Sequence, residues 1–176
     1  MNLIGKKVIL RAIEKEDCEF LKIMINDSET ENNVVGWSFP ISTKNQEEWY
    51  ENQKYNKENQ RFIIEFEGKA IGLATLTDID WKNRKATHGI KLYGENIKRR
   101  GLGTDTVQTI MKYAFEELQL NKLCGSILKT NIPSQKMYEK CCWKLEGTVR
   151  ESVFKNNKYI DEIIIGILKE EYEKLK

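Results

Sequence analysis

A short basic and glycine-containing stretch is the most informative part of this sequence: it runs Lys98-Arg99-Arg100-Gly101-Leu102-Gly103-Thr104. It follows a predicted strand over 86–93, and apolar residues at helical spacing continue after it to about Leu118. The amino end of a helix carries unpaired N–H groups and partial positive charge, and glycine permits a sharp turn close to a ligand. The stretch therefore favours a turn that binds an anion such as phosphate. A glycine turn beside a solvated basic patch is the alternative interpretation.

Other phosphate motifs fit these residues poorly. No Gly-Lys-Ser or Gly-Lys-Thr follows the glycines, which excludes a P-loop ATPase. A dinucleotide fingerprint needs three spaced glycines in an early strand–helix–strand unit, and this pattern is missing. Nucleic-acid binding has weak support, because 29 lysines and arginines stand against 27 acidic residues, for a net charge of +2.

A second stretch, Asn131 to Lys140, contains side chains suited to ligand binding and proton transfer. Asn131 ends a predicted strand and can hydrogen-bond the amides of an extended ligand. Ser134 and Tyr138 are four residues apart on the helix that follows, so they share one face. A tyrosine in that place can donate a proton to a leaving group. A helix cap followed by a half-buried tyrosine is the structural alternative.

Hydrophobic periodicity predicts the order β-α-α-β-β-β-α-β-α-β-β. A loop is expected over 32–40, and Thr43 with Gln46 fits a capping box before the second helix. The predicted strands are 7–12, 61–66, 70–79, 86–93, 122–128, 143–152 and 159–168, and the predicted helices are 16–26, 43–55, 101–118 and 132–140. The fold class is α/β (α+β): one domain over 1–176, with a mixed, mostly antiparallel sheet and helices on both faces. The strands before and after the long helix should form a parallel pair.

Composition is that of an ordinary soluble protein. Of the 176 residues, 40% are hydrophobic and 32% charged, and no uncharged apolar run approaches the ~18 residues of a membrane helix, so a cytoplasmic location is expected. The cysteines form no C-x-x-C pair and a single histidine accompanies them, which predicts no metal site and free thiols. They are Cys18, Cys124, Cys141 and Cys142.

The order of these motifs resembles the GNAT superfamily of acetyl-CoA-dependent N-acetyltransferases. The resemblance covers nearly the whole chain: Val8 to Ala12 with Asp17, then Ile71-Gly72, the glycine turn, and Asn131 to Leu145 all fall in family order. It is similar above all to the branch that contains ribosomal-protein N-terminal and spermidine acetyltransferases. The resemblance implies a GNAT fold, with acetyl-CoA as co-substrate and the parallel strand pair at the coenzyme site.

The resemblance also implies roles for individual residues. Tyr138 matches the tyrosine that protonates the departing CoA thiolate. Coenzyme contacts fall on the glycine turn, on the end of the preceding strand and on the second stretch: Leu92, Tyr93, Lys98, Arg99, Arg100, Gly101, Gly103, Thr104, Asn131 and Ser134. Three residues depart from the pattern, because Lys98 replaces Gln or Arg, Arg99 replaces a common glycine, and Cys142 replaces a glycine.

The general base is a further position at which this chain differs from the family pattern. The family often places a glutamate on the strand before the glycine turn, and the matching residue here is His88. With a reference pKa of ~6.5, a histidine can accept the ammonium proton directly or through water. A packed histidine without a role is the structural alternative, and Asp78 and Asp80 are alternative bases.

The resemblance implies that the acceptor site is built by the first helices, their loop and the later hairpin. The candidates for acceptor binding are Glu31, Trp37, Phe39 and Asp78, because acidic and aromatic groups can hold a cationic amine. Trp49 and Tyr50 are interpreted as packing residues. The loop Gly36 to Pro40 is not acidic, which weakens a polyamine acceptor and leaves a protein N-terminus, an aminoglycoside or an amino sugar open.

The implied reaction is direct attack of a neutral amine on the thioester in a ternary complex. A regulatory CoA-binding module without catalysis, a polyamine-specific enzyme and an RNA- or ribosome-binding accessory domain are the alternatives. The expected partner is a small-molecule amine or a protein N-terminus, and no membrane is expected. The resemblance also implies a homodimer, which is common in the family.

Overall fold

The computed structural model describes residues 1–36, 38–53, 56–94 and 97–176. Within these residues the strands form one mixed sheet in the order β1-β2-β3-β4-β5-β6-β8-β7. The strands are β1 (Leu3–Ile4), β2 (Ile9–Arg11), β3 (Gln60–Phe66), β4 (Lys69–Asp80), β5 (Lys85–Leu92), β6 (Lys122–Leu128), β7 (Lys144–Lys155) and β8 (Lys158–Leu168). β5 and β6 pair in parallel, and every other described pair is antiparallel. The predicted fold class and the predicted parallel pair are confirmed.

Helices cover both faces of this sheet. They are α1 (Cys18–Asn26), α2 (Ser28–Asn33), α3 (Thr43–Glu51), α4 (Leu102–Lys112), α5 (Ile132–Lys140) and α6 (Lys169–Glu173). Successive residues of a strand point to opposite faces, and Ile63 and Ile64 of β3 therefore enter different apolar clusters. Ile63 packs with Leu21 of α1, whereas Ile64 belongs to the larger cluster that contains Val107 of α4.

The sheet opens between β5 and β6. Their ladder covers only Lys85–Thr87 against Lys122–Cys124, whereas β6 continues to pair with β8 as far as Leu128. The second half of β5 thus leaves its parallel neighbour. Because both strands run in the same direction, the turn after β5 and the turn after β6 lie at the same edge of the sheet, beside this opening.

Three local predictions differ from the structure. The expected loop over 32–40 overlaps the end of α2, a polar helix whose preceding residue, Asp27, accepts the Thr30 N–H at 2.7 Å. The capping box before α3 is formed by Ser42 and Asn45, one residue earlier than predicted, because Ser42 has the extended backbone of a cap. The helix ends at Glu51, and its predicted end at residue 55 lies outside the described residues.

The long helix after the glycine turn is interrupted near its end. α4 is regular to Lys112 and continues as a π-helical turn over Tyr113–Glu117, so the prediction of one helix to about Leu118 was correct in length but not in type. β1 was not predicted, because two residues are too few to show a period.

Candidate active site

The glycine turn forms the amino end of α4. Gly101 precedes the helix with a φ of +77°, a left-handed conformation that glycine adopts without steric cost. The first hydrogen bond of the helix runs from the Asp105 N–H to the Gly101 carbonyl at 3.0 Å. The N–H groups of residues 102–104, which include Thr104, therefore have no acceptor one turn back in the helix and can face a ligand.

Gly103 allows α4 to lie close to α5 and β5. A Cβ on Gly103 would stand 2.6 Å from Met137 Sδ and 3.3 Å from Leu92 Cδ1. Real Cβ atoms do not approach another atom as closely as 2.6 Å, so a larger residue here would force the Met137 side chain to move. The close approach brings the glycine turn next to α5, the helix that carries Ser134 and Tyr138.

A buried carboxylate holds the first turn of α4 to the amino-terminal strands. Asp105 accepts the backbone N–H groups of Lys6, Lys7 and Val8 at 3.0, 2.7 and 3.0 Å. Lys7 Nζ also donates to the Arg100 carbonyl at 2.6 Å, on the glycine turn itself. Sequence reasoning missed Asp105, and the available signal was an acidic residue in the first turn of a helix.

Basic side chains surround the glycine turn. The guanidinium of Arg100 lies 4.5 Å from the ring centre of Phe66 and 3.1 Å from a carboxylate oxygen of Glu67. Lys98 Nζ lies 2.7 Å from a carboxylate oxygen of Glu29 in α2. Arg99 has a left-handed backbone with a φ of +63°, and its side chain is exposed. Lys98 and Arg100 thus form exposed ion pairs, which contribute little energy and can exchange partners at low cost.

Asn131 caps α5 and also contacts α2. Its Oδ1 accepts the Ser134 N–H at 3.1 Å, and its Nδ2 donates to the Asn33 carbonyl at 2.8 Å. Pro133 sits in the first turn of the helix, where its missing N–H is not needed. The predicted helix over 132–140 is confirmed, whereas Asn131 lies in the turn after β6, which ends at Leu128, and not at the strand end itself.

Tyr138 is buried in an aromatic cluster on α5. Its ring centre lies 4.9 Å from that of Trp143 and 5.9 Å from that of His88. Burial raises the pKa of its hydroxyl, with a smaller contribution from Cys141. The hydroxyl is therefore protonated at neutral pH and can act as a proton donor.

His88 of β5 is buried against this aromatic cluster, with 3% of its surface exposed. Its Nδ1 is 3.0 Å from the Thr75 carbonyl oxygen, which can only accept, so the proton is assigned to Nδ1 and Nε2 carries a lone pair. Nε2 is buried without a hydrogen-bond partner among the described residues. Burial lowers the pKa of the imidazole to about 4, partly offset by the Thr75 contact, so His88 is neutral at pH 7.

The end of β5 presents the residues that precede the glycine turn. Leu92 pairs with Gly72 of β4 and packs against the larger apolar cluster. The Tyr93 N–H donates to the Ile71 carbonyl at 2.9 Å, and its ring lies 6.1 Å from that of Phe20. The side of this segment that faces away from β4 borders the opening in the sheet.

Glu31 in α2 is paired with a buried lysine from β7. Lys155 Nζ lies 2.8 Å from the Glu31 carboxylate and 3.0 Å from the Gly36 carbonyl, and it also donates to the Glu31 carbonyl. The Lys155 side chain is 5% exposed. Sequence reasoning missed Lys155, because a hairpin residue so far from α2 in the chain gives no local signal.

Asp78, another predicted acceptor residue, does not join this group. Phe39 is 71% exposed, and Trp37 lies outside the described residues. Asp78 is exposed near the far end of β4, beyond Leu76, which pairs with His88, and so points away from the glycine turn.

Two further predictions concern residues outside the opening. Asp80 is half-buried and accepts the Asn83 N–H at 2.8 Å, which lowers the pKa of its carboxyl and suits a turn residue better than a base. Trp49 packs beside the smaller apolar cluster under α1, as a packing residue should.

Two features of the described residues concern metal binding and membrane spanning. No group of three or more histidine, cysteine or acidic side chains there could hold a metal ion. None of the helices in the same residues is both long and apolar enough to cross a membrane.

Comparison with protein families gives one model match, to an acetyltransferase (GNAT) domain over residues 7–143. An uncharacterized SPbeta prophage-derived N-acetyltransferase of Bacillus subtilis strain 168 is 29% identical over 170 residues, which are 96% of this chain and 94% of the relative. The spermidine N(1)-acetyltransferase of Vibrio cholerae is 27% identical over 173 residues, covering 96% of this chain and 97% of that protein.

Solved structures agree with these relatives. The spermidine N-acetyltransferase of Vibrio cholerae, in complex with CoA and spermine, superimposes with a TM-score of 0.89 at 25% identity and covers 96% of this chain and 99% of that one. Another structure of that enzyme, described as a dodecamer in an intermediate state, gives a TM-score of 0.81 at 26% identity over 96% of this chain and 97% of the other.

Proposed function

This chain belongs to the acetyltransferase (GNAT) family, and from that premise we propose that its acetyl transfer takes place in the opening between β5 and β6. One observation carries the proposal: the opening is bordered at one edge by the glycine turn of α4 and by α5 with Tyr138. An anion-binding turn and a protonated tyrosine are the two groups that transfer from a phosphate-bearing thioester needs.

The donors at this edge fit the coenzyme. A pyrophosphate is a compact dianion, and the N–H groups of residues 102–104 with Lys98, Arg99 and Arg100 supply dipoles and charges to match. We propose that Gly101, Gly103 and Thr104 hold the phosphates through their backbone. The extended arm would then follow the free edge of Leu92 and Tyr93 toward Asn131 and Ser134, where amide and hydroxyl groups can bind its polar atoms.

Acetyl-CoA supplies an activated thioester, and the protein supplies orientation and proton transfer. We propose Tyr138 as the donor to the departing sulfur, because its raised pKa keeps the hydroxyl protonated. His88 is the proposed acceptor of the amine proton, through its unprotonated Nε2. Because burial lowers the pKa of the imidazole to about 4, His88 would hold that proton only transiently.

The acceptor itself is proposed only as a primary amine. The relatives are named for spermidine and, in one Bacillus subtilis protein at 23% identity, for putative ribosomal acetylation. We propose that the site is bounded by α2 with Glu31 and by the following loop with Phe39. We further propose that the enzyme self-associates and acts in the cytoplasm, where its four free thiols would stay reduced.

The test is release of free thiol from acetyl-CoA across a panel of amino acids, amino sugars, aminoglycosides, polyamines and peptides with free N-termini. We expect turnover with one of these classes, and a fall in kcat of about a hundredfold or more in Tyr138→Phe. Tyr159→Phe is the matched control, because Tyr159 is 67% exposed on the β7–β8 hairpin. Equal loss in both variants, or none in Tyr138→Phe, would contradict the role of Tyr138.

A further inference from the structure

The face of β5 opposite His88 carries a charged side chain, Lys91, on the side covered by α2. Lys91 is three residues after His88, so strand alternation turns its side chain to the other face. The charges that act on Lys91 are those of Glu31 and Lys155. α2 contacts Lys155 of β7 at one point and Asn131, after β6, at another, so it lies at the end of the sheet where β5 and β6 separate.

The Glu31 carboxylate in this group is already matched by one cation, the ammonium of Lys155. Lys155 is almost fully buried, and its ammonium is bound by the Glu31 carboxylate, the Glu31 carbonyl and the Gly36 carbonyl. A buried ammonium with three acceptors is fully hydrogen-bonded, and removing any of them would be costly. The negative charge of Glu31 is thus balanced by Lys155, which weakens its attraction for a cationic acceptor.

Lys91 is left without a counter-charge. It is half-buried, and it makes no hydrogen bond or ion pair with the described residues. Burial lowers the pKa of its ammonium, which means that the charged form is incompletely solvated there. The ammonium groups of Lys91 and Lys155 and the carboxylate of Glu31 together carry a net positive charge. An incoming anion would supply the missing partner, whereas a second ammonium would be repelled.

Resting on the proposed acetyl transfer in this opening, we propose that the acceptor is a small amine that also carries a carboxylate or a phosphate, which Lys91 binds. Polyamines are then poor acceptors, because their additional ammonium groups meet Lys91 and Lys155. This sets the chain apart from the relatives named for spermidine, although the fold and the coenzyme side are shared. Lys91 is accordingly a specificity-determining residue.

Four acceptors that differ only at the end remote from the reacting amine test the charge preference: 4-aminobutyrate, 4-aminobutyl phosphate, 4-aminobutan-1-ol and 1,4-diaminobutane. Thiol release is measured for each with acetyl-CoA in excess. We expect kcat/KM to be highest for one of the two anionic amines, intermediate for the alcohol and lowest for the diamine. The first two acceptors show whether the anion is a carboxylate or a phosphate.

Two variants connect the preference to Lys91. In Lys91→Met the ratio of kcat/KM for the better anionic amine to that for the diamine should fall by tenfold or more, and in Lys91→Glu it should invert. Lys85→Met is the matched control, because Lys85 is an exposed lysine at the opposite end of β5, and it should leave the ratio unchanged.

The outcomes separate the two levels of the proposal. A wild-type preference for the diamine, or a ratio that Lys91→Met leaves unchanged, overturns the role of Lys91. No thiol release with any of the four, while calorimetry detects acetyl-CoA binding, overturns the class of small anionic amines. Failure to bind acetyl-CoA overturns the proposed function itself.

Discussion

At the scale of single residues, His88 makes a definite prediction about pH and stability. Its pKa is about 4 in the folded protein and ~6.5 in the unfolded chain, so the unfolded state binds the proton more strongly below neutrality. The stabilising effect of a neutral His88 is complete above pH 6.5 and is lost as the pH falls toward 4. The change is on the order of 3 kcal/mol across that window.

Urea unfolding of wild type and His88→Phe at pH 7, 5.5 and 4.5 measures this effect. Phenylalanine is an aromatic ring that does not titrate, so the free energy of unfolding should fall less with acid in the variant than in wild type. The carboxyl groups titrate equally in both proteins, so their contributions cancel in the difference between the two free energies of unfolding. Parallel pH profiles would contradict the pKa.

The orientation of His88 was predictable, and its burial was not. Alternation along β5 places it on one face with Ala86 and Ile90, as the structure confirms. The rings that enclose it, Tyr138 and Trp143, come from much later in the chain, and no local pattern announces such contacts. For the same reason the partnership of Glu31 with Lys155 was invisible in the sequence.

At the scale of elements, Asp105 determines how α4 sits against the amino-terminal strands. Its carboxylate is buried and accepts three backbone N–H groups, from Lys6, Lys7 and Val8. Asp105→Ala leaves those donors unpaired, and we expect a loss of about 2–4 kcal/mol in the free energy of unfolding. Because the same turn carries Gly101, affinity for acetyl-CoA should also fall.

Thermal unfolding and calorimetric titration with acetyl-CoA measure the two effects. Asp105→Asn keeps one carbonyl oxygen and should lie between wild type and Asp105→Ala in both measurements. Asp80→Ala is the comparison variant, because Asp80 also accepts hydrogen bonds but does so in the turn after β4. Unchanged coenzyme affinity in Asp105→Ala would show that the glycine turn keeps its shape without this anchor.

Elements with a strong local signal were predicted best. β6 and α5 have the predicted bounds, because apolar periodicity, Asn131 and Pro133 mark them together. The closing hairpin was also predicted, and Asn156 and Asn157 make its turn with φ values of +51° and +58°. α2 was missed because its six residues, SETENN, show no apolar face, and it depends on contacts with Lys98, Asn131 and Lys155.

At the scale of the whole molecule, the two edges of the sheet differ. β1 has two residues, whereas β7 has 12 and pairs on one side only among the described strands. β7 carries exposed apolar side chains, and at the tip of its hairpin Phe154 lies 5.0 Å from Tyr159, ring centre to ring centre. The irregular ladder between Val149 and Val153 interrupts the edge, which disfavours continuous strand pairing and favours association through side chains.

The exposed apolar side chains of β7 and its hairpin predict that copies of the chain assemble through this hairpin. Sedimentation velocity at micromolar concentration should give a species larger than the 20.7 kDa chain. The double variant Phe154→Ser/Tyr159→Ser should shift it toward the monomer, because the exposed rings supply most of the apolar area at the tip. Trp81→Ser removes an exposed aromatic ring from the turn between β4 and β5 and should leave the assembly intact. A wild-type monomer, or equal disruption by Trp81→Ser, would show that the hairpin is not the contact, and the apolar surface of β7 would then require another partner.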